Sequence, residues 1–290
     1  MLVLSLAACF EPPKPRTSTS SSNESNNYTP AKLDYKGGPV DYKIAAMQAN
    51  ASAKLLKFRK KDQSAEQFRI KYRELIITML AEPSVAKRRN AAKTIGDLRK
   101  SAAYKPLSIA ISDPNPSVRQ AVVRALGQIG QIKGAFVLAN SISDDKDQKV
   151  RLLAAISLAK LKNPKTSSVL RKHINSNNPK LAIACIRGLG DLRDKKSADE
   201  LCKVYNSSKN TRIRATIISA IGQIIPQNAN AILTAALTDT AELVRYQALC
   251  ALGKIGSKSI LPKIKPLLKD YNTSVRKAAA NAIKQINARN

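Results

Sequence analysis

The 290-residue chain contains no tryptophan, and its aromatic content is only 4%. That scarcity argues against base-stacking platforms and against aromatic carbohydrate clefts. A single histidine, His173, excludes any site built on two imidazoles, two-His zinc sites included. Four cysteines are present, Cys9, Cys185, Cys202 and Cys250, with no CxxC pair. Neither a zinc site nor a disulfide framework follows from them, and Cys185 and Cys250 stand in apolar runs as small hydrophobes do. Acidic residues are also few: 20 Asp and Glu face 50 Lys and Arg, for a net charge of +30. So much like charge works against a compact state and implies an anionic partner or surface. What the chain does have is a 43% share of hydrophobic residues, enough for a core.

The N-terminus reads MLVLSLAACF. Its apolar run is far shorter than the ~20 residues of a membrane-spanning helix. Leu6-Ala7-Ala8-Cys9 resembles a bacterial lipobox, which implies a lipid on Cys9 and a place in the cell envelope. A cytoplasmic chain is the alternative if the match is fortuitous. The basic start of a full signal peptide is missing, and further upstream codons are expected. Residues 10–40 are dominated by Pro, Ser, Asn and Thr without an apolar period, the composition of a disordered linker. Residues 41–72 read as a basic helical cap. Within them ASAKLLKFRKK (51–61) is either the solvated face of that cap or an amphipathic segment on an anionic membrane, and the cap is favoured because repeat arrays need one.

Residues 73–290 carry a repeat. One column runs Gly96, Gly127, Ala159, Gly190, Gly222, Gly253 and Lys284, spaced 31, 32, 31, 32, 31 and 31 residues apart. A second runs Arg88, Arg119, Arg151, Ala182, Arg214, Arg245 and Arg276. Six residues before each of these stands Glu82, Asp113, Asp145, Ser176, Ser208, Asp239 or Asp270. Counting from the Arg column, positions −1, +3, +6, +7 and +10 are apolar, which is helical spacing. Each unit holds two amphipathic stretches of about ten to fourteen residues, and Asp113-Pro114-Asn115-Pro116-Ser117 is a turn and helix-start signal between two such stretches. A helix pair of this size cannot bury its own apolar face, so seven of them must stack.

From Arg73 to Ile286 these VR…A…LG…I strings resemble HEAT repeats, specifically the short type of the phycobilisome lyases. The resemblance implies an all-α, right-handed α-solenoid of about seven helical hairpins. It also implies a structural ladder in which Arg88, Arg119, Arg151, Arg214, Arg245 and Arg276 and the turn residues Asp113, Asp145, Asp239 and Asp270 bridge adjacent units. Unit four lacks both partners (Ala182, Ser176), so no orphaned charge is expected there. Arg214 keeps its charge while Ser208 offers no carboxylate, so its partner is expected to come from elsewhere or to be water. Deoxyhypusine hydroxylases use similar repeats with His-Glu metal pairs, but His173 is followed by Ile174 and no His-Glu pair exists.

Positions +1, +5 and +9 of each second helix form the stripe expected to line the concave face. Its candidate partner-binding residues are Arg89, Lys93, Arg124, Leu152, Ile156, Lys160, Ile183, Arg187, Tyr246, Lys254 and Lys277. Leu152, Ile156 and Ile183 are apolar where solvent is expected, which fits either a docking patch or a unit three packed more deeply than its neighbours. His173 reads as a solvent-facing residue. The expectation that follows is a non-enzymatic, lipid-anchored interaction scaffold, with no catalytic residue, metal, cofactor or small-molecule substrate. A protein partner and an anionic envelope surface are expected. Nucleic acid along the basic surface is the first alternative, and a bilin-lyase-like or other HEAT-like enzyme accessory protein is the second.

Overall fold

The computed structural model describes residues 63–289, which lie within one compact unit. Cys9, the linker at 10–40 and the basic segment at 51–61 lie outside the described residues. Among the described residues there are fourteen α-helices and no strand. Helix α1 covers 63–81. The others are α2 Val85–Asp97, α3 Tyr104–Ala110, α4 Pro116–Ile129, α5 Gly134–Asp144, α6 Gln148–Lys160, α7 Ser167–Arg171 and α8 Pro179–Asp191. They continue as α9 Ala198–Ser207, α10 Thr211–Ile224, α11 Ala229–Ala235, α12 Glu242–Ile255, α13 Leu261–Ile264 and α14 Thr273–Ala288. No helix among them is long and apolar enough to cross a membrane.

The even-numbered helices carry the Arg column and pack on one another in chain order from α2 to α14. From α3 on, each odd-numbered helix covers the even one that follows it. The result is an α-solenoid whose core runs unbroken along the stack. In α4, Val118, Val122, Ala125 and Leu126 are buried, which matches four of the five apolar positions. Burying a Val or Leu side chain is worth ~1.5–3 kcal/mol, and here the covering surface comes from neighbouring units. Tyr72, Ile76 and Met79 of α1 belong to the same core, so α1 is the first helix of unit one and runs through the cap boundary expected at residue 72.

The starts of the second helices follow from one column, four residues before the Arg. Asn115, Asp147, Asn178, Asn210 and Asn272 each accept a backbone N–H of the first helical turn, which satisfies donors the helix cannot. The first helices are shorter than the sequence suggests, only five residues in α7 and four in α13. After α13 the chain tightens into a 3-10 turn, Lys265–Lys269, where Pro266 has no N–H to donate.

Close packing of the second helices depends on the glycine column. A Cβ on Gly222 would lie 2.6 Å from Ala251 Cβ of the next unit, and one on Gly127 would lie 2.7 Å from Ser157 Cβ. Unit three carries Ala159 in this column, and the facing position of α8 is Gly188, whose Cβ would lie 2.9 Å from Ala159 Cβ. The missing methyl has changed sides, and the helices still close.

Candidate functional site

The repeated Arg and Asp meet across units. Arg119 in α4 donates from Nε to Asp145 Oδ2 (2.8 Å) and from Nη2 to Asp145 Oδ1 (2.9 Å). Arg88–Asp113, Arg214–Asp239 and Arg245–Asp270 repeat this two-pronged geometry. The third prong, Nη1, donates to the backbone carbonyl six residues earlier, as from Arg119 to Asp113 (2.9 Å). In the Arg119–Asp145 pair the side chains keep only 14% and 8% of their exposure. Burial pushes the Asp145 carboxyl up. The hydrogen bonds from Arg119 and the Asp147 N–H, with the charges of Arg119 and Arg151, outweigh it and hold the group below the usual carboxylate range. Tyr205 adds its hydroxyl to Asp239 (2.9 Å), and burial followed by that carboxylate pushes its own pKa up to about 12.

This register corrects what the sequence suggests about units three to five. Arg88, Arg119, Arg214 and Arg245 each pair with the acid 25 or 26 residues ahead, in the next unit, while the residue six behind receives Nη1 on its carbonyl. Arg214 therefore has its carboxylate in Asp239. Ala182 and Ser208 are the two residues that drop out together, and Ser176 leaves Arg151 without an acid: among the described residues Arg151 forms no ion pair. Ladder pairs thus join units one to three and five to seven and are missing at the two central junctions. There Arg171 and Asp194 form a looser pair at 3.6 Å. Arg276, in the last unit, keeps its carbonyl contact with Asp270 (2.8 Å) and donates Nη2 to Thr273 Oγ1 (2.9 Å).

Across those central junctions the second helices enclose a groove of about 1320 Å³, lined by α6, α8, α10 and α12. It gathers Leu152, Ile156, Lys160, Ile183, Arg187 and Lys254 of the expected stripe. Tyr246, Lys254 and Lys277 line a second, smaller cleft. Arg89, Lys93 and Arg124 are exposed on units one and two and border neither. The groove also contains residues the helical wheel does not reach. Lys162, Arg193 and Ile225 follow the ends of α6, α8 and α10 with φ of 49°, 52° and 51°. All three line the groove, and Lys162 and Arg193 sit beside the negative ends of the α6 and α8 dipoles. Lys180 and Arg212 lie near the starts of α8 and α10. In all, seven basic side chains and one acidic one, Asp191, surround an apolar floor that includes Ile156, Ile183 and Leu243.

Metal donors are poorly placed. The imidazole of His173 is half-buried rather than solvent-facing, with Nε2 3.3 Å from Ser143 Oγ. Burial and the charges of Lys172 and Arg151 lower its pKa, and the same cations would repel a metal ion. Among the described residues no three His, Cys, Asp or Glu side chains gather as a metal set. A single histidine followed by Ile174, with no acidic cluster beside it among the described residues, does not fit a His-Glu metal centre.

Fold and groove define an α-solenoid of stacked helical hairpins with a basic-rimmed channel. The HEAT-repeat profile matches residues 73–159, 137–222, 167–249 and 229–289, and the chain belongs to the HEAT-repeat family. A deoxyhypusine hydroxylase of Arabidopsis thaliana is 25% identical over 185 residues, which make up 63% of this chain and 58% of that protein. The chain therefore spans less than two thirds of that relative. Among solved structures, human deoxyhypusine hydroxylase is 16% identical with a TM-score of 0.41, covering 78% of this chain and 99% of that one. The complex of the two chains of phycocyanin lyase from a Nostoc species is 23% identical with a TM-score of 0.47, covering 74% and 93%.

The curated relative is an enzyme, and this overturns the expectation of a non-enzymatic scaffold. The expectations of no enzymatic role and of no small-molecule substrate fall with it. Composition and the missing His pairs describe only the groups this chain carries.

Proposed function

We propose that this protein is an accessory component of an enzyme. The groove of units three to six holds an acidic, partly apolar segment of a protein substrate, while the reacting groups come from another chain. The observation that carries this reading is the groove itself: seven cations and one acid around an apolar floor, with no gathered metal ligands among the described residues. Such a surface attracts an acidic chain at long range and holds it by apolar contact at short range. The sequence relationship to an enzyme supports the connection to a reaction.

The test uses a fluorescent peptide of Leu and Glu patterned as an acidic amphipathic helix. Binding should weaken with salt and fall at least tenfold in a K160E/R187E double variant. A photo-crosslinker at Ser219, on the groove wall, should capture a protein that is itself an enzyme or its substrate in native cells. Equal peptide affinity for the wild type and the charge-reversed variant refutes the groove, and crosslinks confined to nucleic acid refute the protein partner.

The lipid anchor at Cys9, and with it a place at the cell envelope, is part of this proposal and rests on Leu6-Ala7-Ala8-Cys9 alone. Palmitate labelling tests it. Incorporation that is unchanged in Cys9→Ala removes it.

A further inference from the structure

At the junction of units three and four the ladder keeps its cation and loses its anion. We propose that Arg151 and Ser176 form a seat for a phosphate or a phosphate monoester, which bridges the two units where the other junctions use an aspartate.

Arg151 is held as its counterparts are. Its Nη1 donates to the carbonyls of Asp145 (2.6 Å) and Lys146 (3.4 Å), as Arg245 donates to Asp239 (2.9 Å) and Thr240 (3.1 Å). In Arg119 and Arg245, held by the same contact, the Nε–Nη2 edge meets the next unit's turn, and in the proposed seat Arg151 shares that orientation. In the paired units that edge takes both oxygens of an aspartate, whose Oδ1 also accepts the N–H two residues on. Ser176 keeps this last contact, its Oγ accepting from Asn178 N at 3.2 Å, but supplies no carboxylate. Its hydroxyl proton is free to donate outward. One oxyanion between the Arg151 fork and the Ser176 hydroxyl would complete the pattern, and a planar two-donor fork suits a phosphoryl group.

Among the described residues no carboxylate pairs with Arg151. Asp145 is committed to Arg119 and to the Asp147 N–H. The Thr273 hydroxyl that serves Arg276 corresponds to Gln148, whose Oε1 accepts from Asn178 Nδ2 (3.2 Å) and ties the two turns together beside the seat. Arg151 and Ser176 are both half-buried, so solvent reaches the site. The seat is separate from the groove and does not depend on the function proposed above.

Thermal unfolding at constant ionic strength, with inorganic phosphate replacing chloride, tests the proposal. Phosphate should raise the wild-type midpoint by about 2–4 °C, the shift that ~1 kcal/mol gives in a domain of this size. S176D should start higher by a similar amount and lose most of the response, because its carboxylate occupies the seat. R151K keeps the charge without the fork and should also lose the response. Parallel titration with O-phosphoserine shows by the tighter response whether the ligand is a free anion or a phosphoryl group on a larger molecule. An equal phosphate response in all three proteins means anions on a basic surface only and overturns the seat. So does a lowered midpoint in S176D.

Discussion

Moving a single methyl group across a helix interface tests how the units close. In Gly222→Ala the new Cβ meets Ala251 Cβ at 2.6 Å, inside ordinary contact distance. Overpacking of this kind costs ~1–3 kcal/mol, while alanine gains ~1 kcal/mol of helix propensity over glycine. The expected result is a net loss of about 1 kcal/mol. Ala251→Gly forfeits ~1 kcal/mol of propensity and a buried methyl worth ~0.8 kcal/mol. If the sites were independent, the double variant G222A/A251G would lose their sum, roughly 3 kcal/mol by the same magnitudes. If the interface needs only one methyl, on either side, the double variant returns to within ~0.5 kcal/mol of the wild type. The protein already makes this exchange once, with Ala159 facing Gly188. Urea midpoints followed by far-UV circular dichroism measure all four proteins. A stabilised G222A, or additive losses in the double variant, refutes the argument.

Asp145→Asn leaves the Arg119 guanidinium without its charge partner and should cost about 2–3 kcal/mol by urea denaturation. That is below the 3–5 kcal/mol of a fully buried pair because the turn lies at the surface; a loss under ~0.5 kcal/mol, the usual scatter for surface sites, would make the ladder decorative. Asp113, Asp145, Asp239 and Asp270 all titrate lower in the folded protein than free. Their contribution is present above the unfolded pKa near ~3.9 and is lost as pH falls through the folded values. His173 is also lowered, so the unfolded chain takes its proton first and stability should decline as pH drops below ~6.5, a slope that His173→Gln removes from the pH–stability profile. Ile225 is β-branched at φ 51° and 46% exposed. Ile225→Gly relieves ~1–2 kcal/mol of left-handed strain against ~0.5–1 kcal/mol of added chain entropy; a lower thermal midpoint contradicts the strain.

The 31- to 32-residue period was enough to place every second helix and its apolar face, because a helix repeats its environment every few residues along one dimension. The Arg and acid columns were visible for the same reason. Their pairing was not. The acid nearest in sequence, six residues back, offers only a carbonyl, and the carboxylate comes from the next unit. Only the stacking register shows that Ser176 strips Arg151 of its partner. The stripe found Leu152, Ile156, Lys160, Ile183 and Arg187 on one groove wall, but a helical wheel stops where the helix does. Lys162, Arg193 and Ile225 were beyond it, turned into the groove by a left-handed residue at each helix end. The amino-acid pattern alone determined a stack of like units and its overall positive charge. Which cations converge, which lose their counter-charge and where the channel opens were decided by packing between units, because those distances depend on how neighbours approach and not on spacing along the chain.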